Sequence, residues 1–179
     1  DDALEHEIEK KVLSGGKLPT APRKNIRPNC AETGDYLDFL ASTLPAHVDF
    51  SGMKLVVDCA NGAAYKCAPE LFRRLGARVF ALGCSPDGRN INKGCGALDT
   101  GAMRRQVKRL GADCGLSLDG DADRVIFSDE NGAVFDGDDT IGMAALELDA
   151  QHRLRNGKAV LTVMRSEERR VGKECATLC

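Results

Sequence analysis

Tryptophan is absent from this sequence of 179 residues, which holds only two Tyr and six Phe. Surfaces that stack nucleic-acid bases are built on aromatic rings, so that class is argued against. No apolar run is long enough to cross a bilayer as a helix. The N-terminal stretch Asp1-Asp2-Ala3-Leu4-Glu5 is acidic, whereas a secretory leader starts basic and continues apolar. Charge of one sign is not in excess either. The formal net charge of -2 gives no pull towards nucleic acid or an anionic membrane.

Cysteine is plentiful, with eight residues, but no two of them have C-x-x-C spacing. The three His lie remote from the Cys, which argues against zinc. Several Cys sit in apolar segments, as in Cys114-Gly115-Leu116, where a reduced thiol acts as a small core residue. The expectation is a set of free thiols in a reducing cytoplasm.

What is present is an ordinary globular composition, 42% apolar and 29% charged, in a length that suits one domain or one domain with parts of its neighbours. Leu4, Ile8 and Val12 mark an amphipathic helix over residues 4–13, ended by Ser14-Gly15-Gly16. Residues 17–32 hold three prolines and read as a linker. Tyr36, Leu37, Leu40 and Leu44 predict a helix over residues 33–44, stopped by Pro45.

The rhythm then changes. Strands are predicted at residues 54–58, 78–82 and 114–118, with helices over residues 64–75 and 100–110 between them. Asp99 is the expected cap of the second of these helices, and Met103, Val107 and Leu110 its buried stripe. Strand–helix alternation of this kind makes a parallel sheet covered by helices. Residues 125–128 and 133–135 flank Asn131-Gly132, which suggests a hairpin at the sheet's edge. A last helix is expected over residues 139–149, and residues 159–163 read as the first strand of a further unit.

Ligands of open α/β sheets bind at loops leaving the C-terminal ends of the strands. Three such loops stand out: residues 58–63, residues 83–92, and Asp119-Gly120-Asp121-Ala122-Asp123-Arg124. The third is the most specific. Its carboxylates alternate with small residues and can converge on one hard cation such as magnesium. Unneutralised they would repel one another, so the loop calls for a counter-ion. Arg124 is then placed to meet a phosphate oxygen beside the metal. Two other readings stand beside this one. Asp119, Asp121, Asp123 and Glu130 fall at the first, third, fifth and twelfth places of an EF-hand calcium loop, but Arg124 holds the sixth, where that loop needs Gly. A solvated acidic turn is the other.

Taken in order, the three loops resemble the second domain of the α-D-phosphohexomutases. Asn90-Ile91-Asn92 and Cys95-Gly96 most resemble the bacterial phosphoglucosamine mutase branch of that family. The likeness runs over about residues 4–164. It implies an α/β fold with a mixed, mainly parallel sheet and helices on both faces, flanked by parts of two other domains. Residues 1–32 would be the end of the first domain and a linker, residues 33–135 the second domain with its metal loop, and residues 136–164 the start of a third.

The resemblance further implies an enzyme that interconverts glucosamine 6-phosphate and glucosamine 1-phosphate. A phosphoserine and a bisphosphorylated sugar intermediate carry the phosphoryl group. Mg2+ would be held by Asp119, Asp121 and Asp123, with Arg124 beside the phosphate. The partners would be a phosphorylated hexosamine and that intermediate, with no nucleic acid and no membrane. The metal loop is common to phosphomannomutases and phosphoglucomutases, so these remain alternatives, as does a metal-binding module without catalysis.

The sequence departs from that pattern in two ways. No Ser lies in a Thr-Ala-Ser-His-Asn context, and Ser14, Ser42 and Ser51 read as caps or turn residues. The chain alone is therefore expected to be inactive. The stretch from Arg165 to Cys175 resembles a translated sequencing adapter, and residues 165–179 are set aside from fold reasoning.

Overall fold

The computed structural model describes residues 2–15, 30–45 and 47–159. The chain divides into two compact units, Asp1–Glu32 and Thr33–Cys179. In the first, helix α1 (Asp2–Leu13) carries an exposed Glu7–Lys11 ion pair at 2.9 Å, one helical turn apart with the acid leading.

Helix α2 (Cys30–Ser42) starts three residues before the sequence suggests. Strand β1 (Lys54–Asp58) follows, then a 3-10 turn (Ala63–Tyr65), helix α3 (Cys67–Arg74) and strand β2 (Arg78–Leu82). Helix α4 (Gly101–Leu110), strands β3 (Cys114–Leu118), β4 (Val125–Ser128) and β5 (Val134–Phe135), and helix α5 (Gly137–Ala150) complete the unit. The residues read as one helix over 64–75 are thus split in two. Pro69 explains the late start of α3, since a residue without an N–H is tolerated only in a helix's first turn. Helix α5 begins two residues before the expected 139. Asp136 accepts the Asp138 and Asp139 N–H groups while Asp139 accepts that of Asp136, a reciprocal cap. The strand expected at residues 159–163 lies outside the described residues from 160 onward, as does everything from Arg165.

The sheet order is β2-β1-β3-β4-β5. Strand β1 pairs in parallel with β2 and β3, and the antiparallel β4 and β5 form the expected edge hairpin. Helices cover both faces. Leu55 and Val57 of β1 join Cys59 and Leu116 against Ala68 and Phe72 of α3. Phe50 meets Phe72 edge to face at 5.7 Å. On the opposite face Val56 packs with Met103 and Val107 of α4. That two-sided burial is why β1 reads Lys-Leu-Val-Val-Asp without polar alternation. Helix α4 ends as expected at Gly111, in the left-handed conformation. Thr100, not the expected Asp99, takes the N-cap position, and Asp99 accepts the Gly101 N–H from the residue before it.

Topology places the site. Leaving β1, the chain goes first to β2 on one side and later to β3 on the other. The crevice of an open α/β sheet forms at such a reversal, at the strands' C-terminal ends. Asp58 pairs there with Leu82 on one side and Ser117 on the other, so all three loops leave the sheet at one end. Among the described residues no helix is long and apolar enough to cross a membrane.

Contact between β3 and α4 depends on a missing side chain. A Cβ on Gly115 would collide with Met103 Sδ and lie 2.7 Å from both Ser128 Oγ and Val107 Cγ2. Overpacking of this kind costs about 1–3 kcal/mol. Gly115→Ala is expected to lower stability to urea by that amount. Gly142→Ala in α5, where nothing lies within 4 Å, is expected to be neutral or stabilising. Equal midpoints for the two variants would contradict this packing.

Candidate metal centre

The loop from Asp119 to Arg124 turns back sharply between β3 and β4. The Asp119 N–H donates to the Arg124 carbonyl at 3.2 Å and the Ala122 N–H to the Asp119 carbonyl at 3.2 Å. Ala122 takes a left-handed conformation at φ 63°. The result brings one carboxylate oxygen of each of Asp119, Asp121 and Asp123 within 4.8 Å of the others. Asp119 is buried, and the other two are exposed. An all-oxygen donor set on a tight loop fits a hard divalent cation. The helices flanking an EF-hand are replaced by strands β3 and β4, which removes the calcium-loop alternative.

Arg124 lies against the acids of its own loop. Its Nε donates to Asp119 Oδ2 at 2.8 Å and to Asp123 Oδ1 at 3.3 Å, and its backbone N–H donates to Asp119 Oδ1 at 3.1 Å. The residue expected to face a phosphate is therefore itself a counter-ion of the acids. A side chain immediately after Asp123, on a loop that closes on itself, reaches its own neighbours first. Its Nη groups have no hydrogen bond among the described residues, and the side chain is 66% exposed. Three carboxylates against one guanidinium still leave two negative charges when all are ionised.

The protons reflect this arrangement. Burial pushes the Asp119 carboxyl up, but the Arg124 N–H, Asp123 and the guanidinium together outweigh it and bring it down to about 2. The Asp123 carboxyl moves the other way. Its hydrogen bond to Asp119 comes first, then burial, then the charges of Asp119 and Asp121. Asp119 also raises the pKa of Arg124.

The two other loops marked in the sequence, to which no site role was assigned there, brace this one. The buried Asp58 accepts the Ala60 N–H at 3.0 Å and the Gly96 N–H at 2.8 Å. Asn61 accepts the Ser85 N–H at 3.0 Å and approaches the Asn90 carbonyl with its amide at 3.4 Å. The Asn92 N–H donates to the Ala60 carbonyl, and the Ala63 N–H to the Gly120 carbonyl, both at 2.8 Å. Backbones meet so closely there that a Cβ on Gly62 would fall onto the Gly120 carbonyl. The signal was a carboxylate two residues before a backbone N–H it can accept, a turn pattern of Asp. Ser14 and Ser42 donate to carbonyls three residues back at their helix ends, in keeping with structural roles. The described cysteines, Cys59, Cys67, Cys84, Cys95 and Cys114, are free.

Residues 34–132 match the family model for phosphoglucomutase/phosphomannomutase, alpha/beta/alpha domain II. The chain belongs to this family. It is 53% identical over 150 residues to a phosphoglucosamine mutase of Geobacter sp. (strain M21), covering 78% of this chain and 33% of that protein. It is 45% identical over 167 residues to the phosphoglucosamine mutase of Desulfotalea psychrophila, covering 91% and 37%. The chain thus spans about a third of the length of these curated relatives. Among solved structures, a phosphoglucomutase/phosphomannomutase family protein from Burkholderia thailandensis shares the fold. Its TM-score is 0.61 at 19% identity, over 85% of this chain and 32% of that one.

The two directions of proton shift make a pH test. Asp119 is held below its ordinary 3.8, so its contribution is present above that pH and is lost as pH falls through about 2. Asp119→Asn is expected to lower the melting temperature at neutral pH by several degrees and to flatten its fall between about pH 4 and 2. Asp121→Asn is expected to do neither. Melting curves across pH check both. An equal loss in the two variants would contradict the assigned bonding of Asp119.

Proposed function

We propose that this chain is the metal-carrying second domain of a phosphoglucosamine mutase. That enzyme interconverts glucosamine 6-phosphate and glucosamine 1-phosphate through a phosphoserine and a bisphosphorylated sugar. The observation that carries the reading is the convergence of Asp119, Asp121 and Asp123 oxygens at the end of β3. Identity of 45% and more to phosphoglucosamine mutases supports that branch over its phosphomannomutase and phosphoglucomutase cousins. On this reading residues 1–32 close the first domain, residues 33–135 form the second, and residues 136–164 open the third.

Asp119, Asp121 and Asp123 would hold Mg2+. When bound, the ion supplies positive charge against the oxygens of a transferring phosphoryl group. The chain's own residues do the rest. Asp119, buried and ionised, anchors the loop. Asp121 and Asp123 present oxygens towards solvent, where a phosphate can approach. Arg124, whose side chain is 66% exposed with only its Nε and backbone N–H on the acids, would present the rest of its planar fork to the phosphate. The substrate is a phosphorylated hexosamine.

Titration with Mg2+, followed through the amide resonances of residues 119–124, tests the metal site. Saturable shifts in the millimolar range are expected, confined to that loop and lost in Asp121→Ala. A folded domain that shows no shift at high millimolar Mg2+ would sink the assignment. In the complete enzyme, Asp121→Ala is expected to lower turnover by at least about 10²–10³, the usual cost of one electrostatic contact to a transition state. The 179-residue chain alone is expected to show no turnover.

A further inference from the structure

We propose that Asp58 is a positioning residue for the metal loop, acting through backbone alone. The inference rests on the metal reading above and extends it to a group outside the acidic cluster.

Asp58 is fully buried at the end of β1. Both of its carboxylate oxygens accept backbone N–H groups, Oδ1 from Ala60 and Oδ2 from Gly96. It makes no hydrogen bond to any residue from 119 to 124 among the described residues, so any effect on them must be relayed. Two relays are present. The first runs through the loop after β1. Ala60 and Asn61 are consecutive non-glycine residues at φ 55° and 51°. Side chains disfavour that conformation, and it persists only where the surroundings over-determine it. The bond from the Ala60 N–H to Asp58 is such a constraint. This turn delivers the Ala63 N–H to the Gly120 carbonyl, and the Ala60 carbonyl to the Asn92 N–H. Next to Asn92, the Ile91 side chain lies against Gly120.

The second relay runs through Gly96. Once its N–H is fixed on Asp58, the following Ala97 N–H donates to the Leu118 carbonyl at 3.0 Å. Leu118 and Gly120 bracket Asp119. One buried carboxylate thus sets the backbone on both sides of the buried metal ligand. A site held this way before the cation arrives loses less freedom on binding, which favours affinity.

The test uses the full 179-residue chain and Mg2+ alone. Asp58→Asn is nearly isosteric but turns an acceptor into a donor facing an N–H. At a temperature well below melting, it is expected to weaken Mg2+ binding at least tenfold. It is also expected to speed amide exchange at Ala63 and Ala97 at least tenfold. Gly115→Ala serves as the control for general destabilisation, because it strains the β3–α4 contact and leaves the loops alone. It is expected to keep the original Mg2+ affinity. A folded Asp58→Asn that binds Mg2+ as the parent chain does would overturn the proposal, and so would an equal loss in Gly115→Ala. If the parent chain itself does not bind Mg2+, the metal reading fails, and Asp58 is then judged on the Ala63 and Ala97 amides. Lost protection supports its positioning role and unchanged protection ends it. Should Asp58→Asn not fold, it is placed in an Ala60→Gly background, where glycine takes the left-handed turn freely. The same outcomes decide there.

Discussion

Parallel pairing of β1 with β3 is the constraint on which the rest of the site depends. These strands are separated in sequence by a helix, a strand, a long loop and another helix, yet Asp58 lies beside Ser117. Nothing local could bring residues 58–63 and 119–124 together. The burial of β1 on both faces does so, because Leu55 and Val57 need α3 while Val56 needs α4. Slipping this ladder by one residue would send each of those side chains to the wrong helix. It would also part the Ala63 N–H from the Gly120 carbonyl. Fold stability and site geometry are therefore one requirement in this molecule.

Against that fixed frame, the acidic loop is locally unfavourable. Three carboxylates within 4.8 Å repel, and one of them is buried. The chain's own answer is incomplete. Arg124 neutralises part of the charge, and Asp123 is pushed towards holding its proton while Asp119 is pushed towards losing it. Opposite shifts in neighbouring carboxylates mark a site where their charges act on one another.

Much of this was legible in the sequence, and the parts that were not share a cause. Strand β1 follows from its β-branched run Leu-Val-Val and the edge hairpin from Asn131-Gly132, which are local signals. The stripe of α4 follows from Met103 and Val107 at helical spacing. The acidic triad was legible because all of its members lie within five residues. Asp58 was legible only as the start of a loop, because its partner Gly96 lies 38 residues away and no periodicity encodes that distance. The ion pairs of Arg124 are local, reaching Asp119 five residues back, but residue spacing alone does not rank them against an outside anion. The early start of α5 was legible in principle, since Asp136 and Asp139 spell a reciprocal cap three residues apart.

The contrast between Asp58 and Asp119 shows how one residue type serves two ends in one small volume. Both are buried beside a turn and both accept backbone N–H groups. Asp58 has both oxygens engaged by backbone donors that cannot leave without undoing the turn. Asp119 has one oxygen on a backbone N–H and the other on the guanidinium of a side chain 66% exposed. Backbone donors are fixed by the fold, whereas an exposed side-chain donor can rotate away once another charge meets the buried oxygen it leaves. Asp119 can therefore exchange a partner while keeping its place, and Asp58 cannot. A carboxylate that must be held in position yet stay open to a new partner needs this mixture. A residue that only braces the frame needs its opposite.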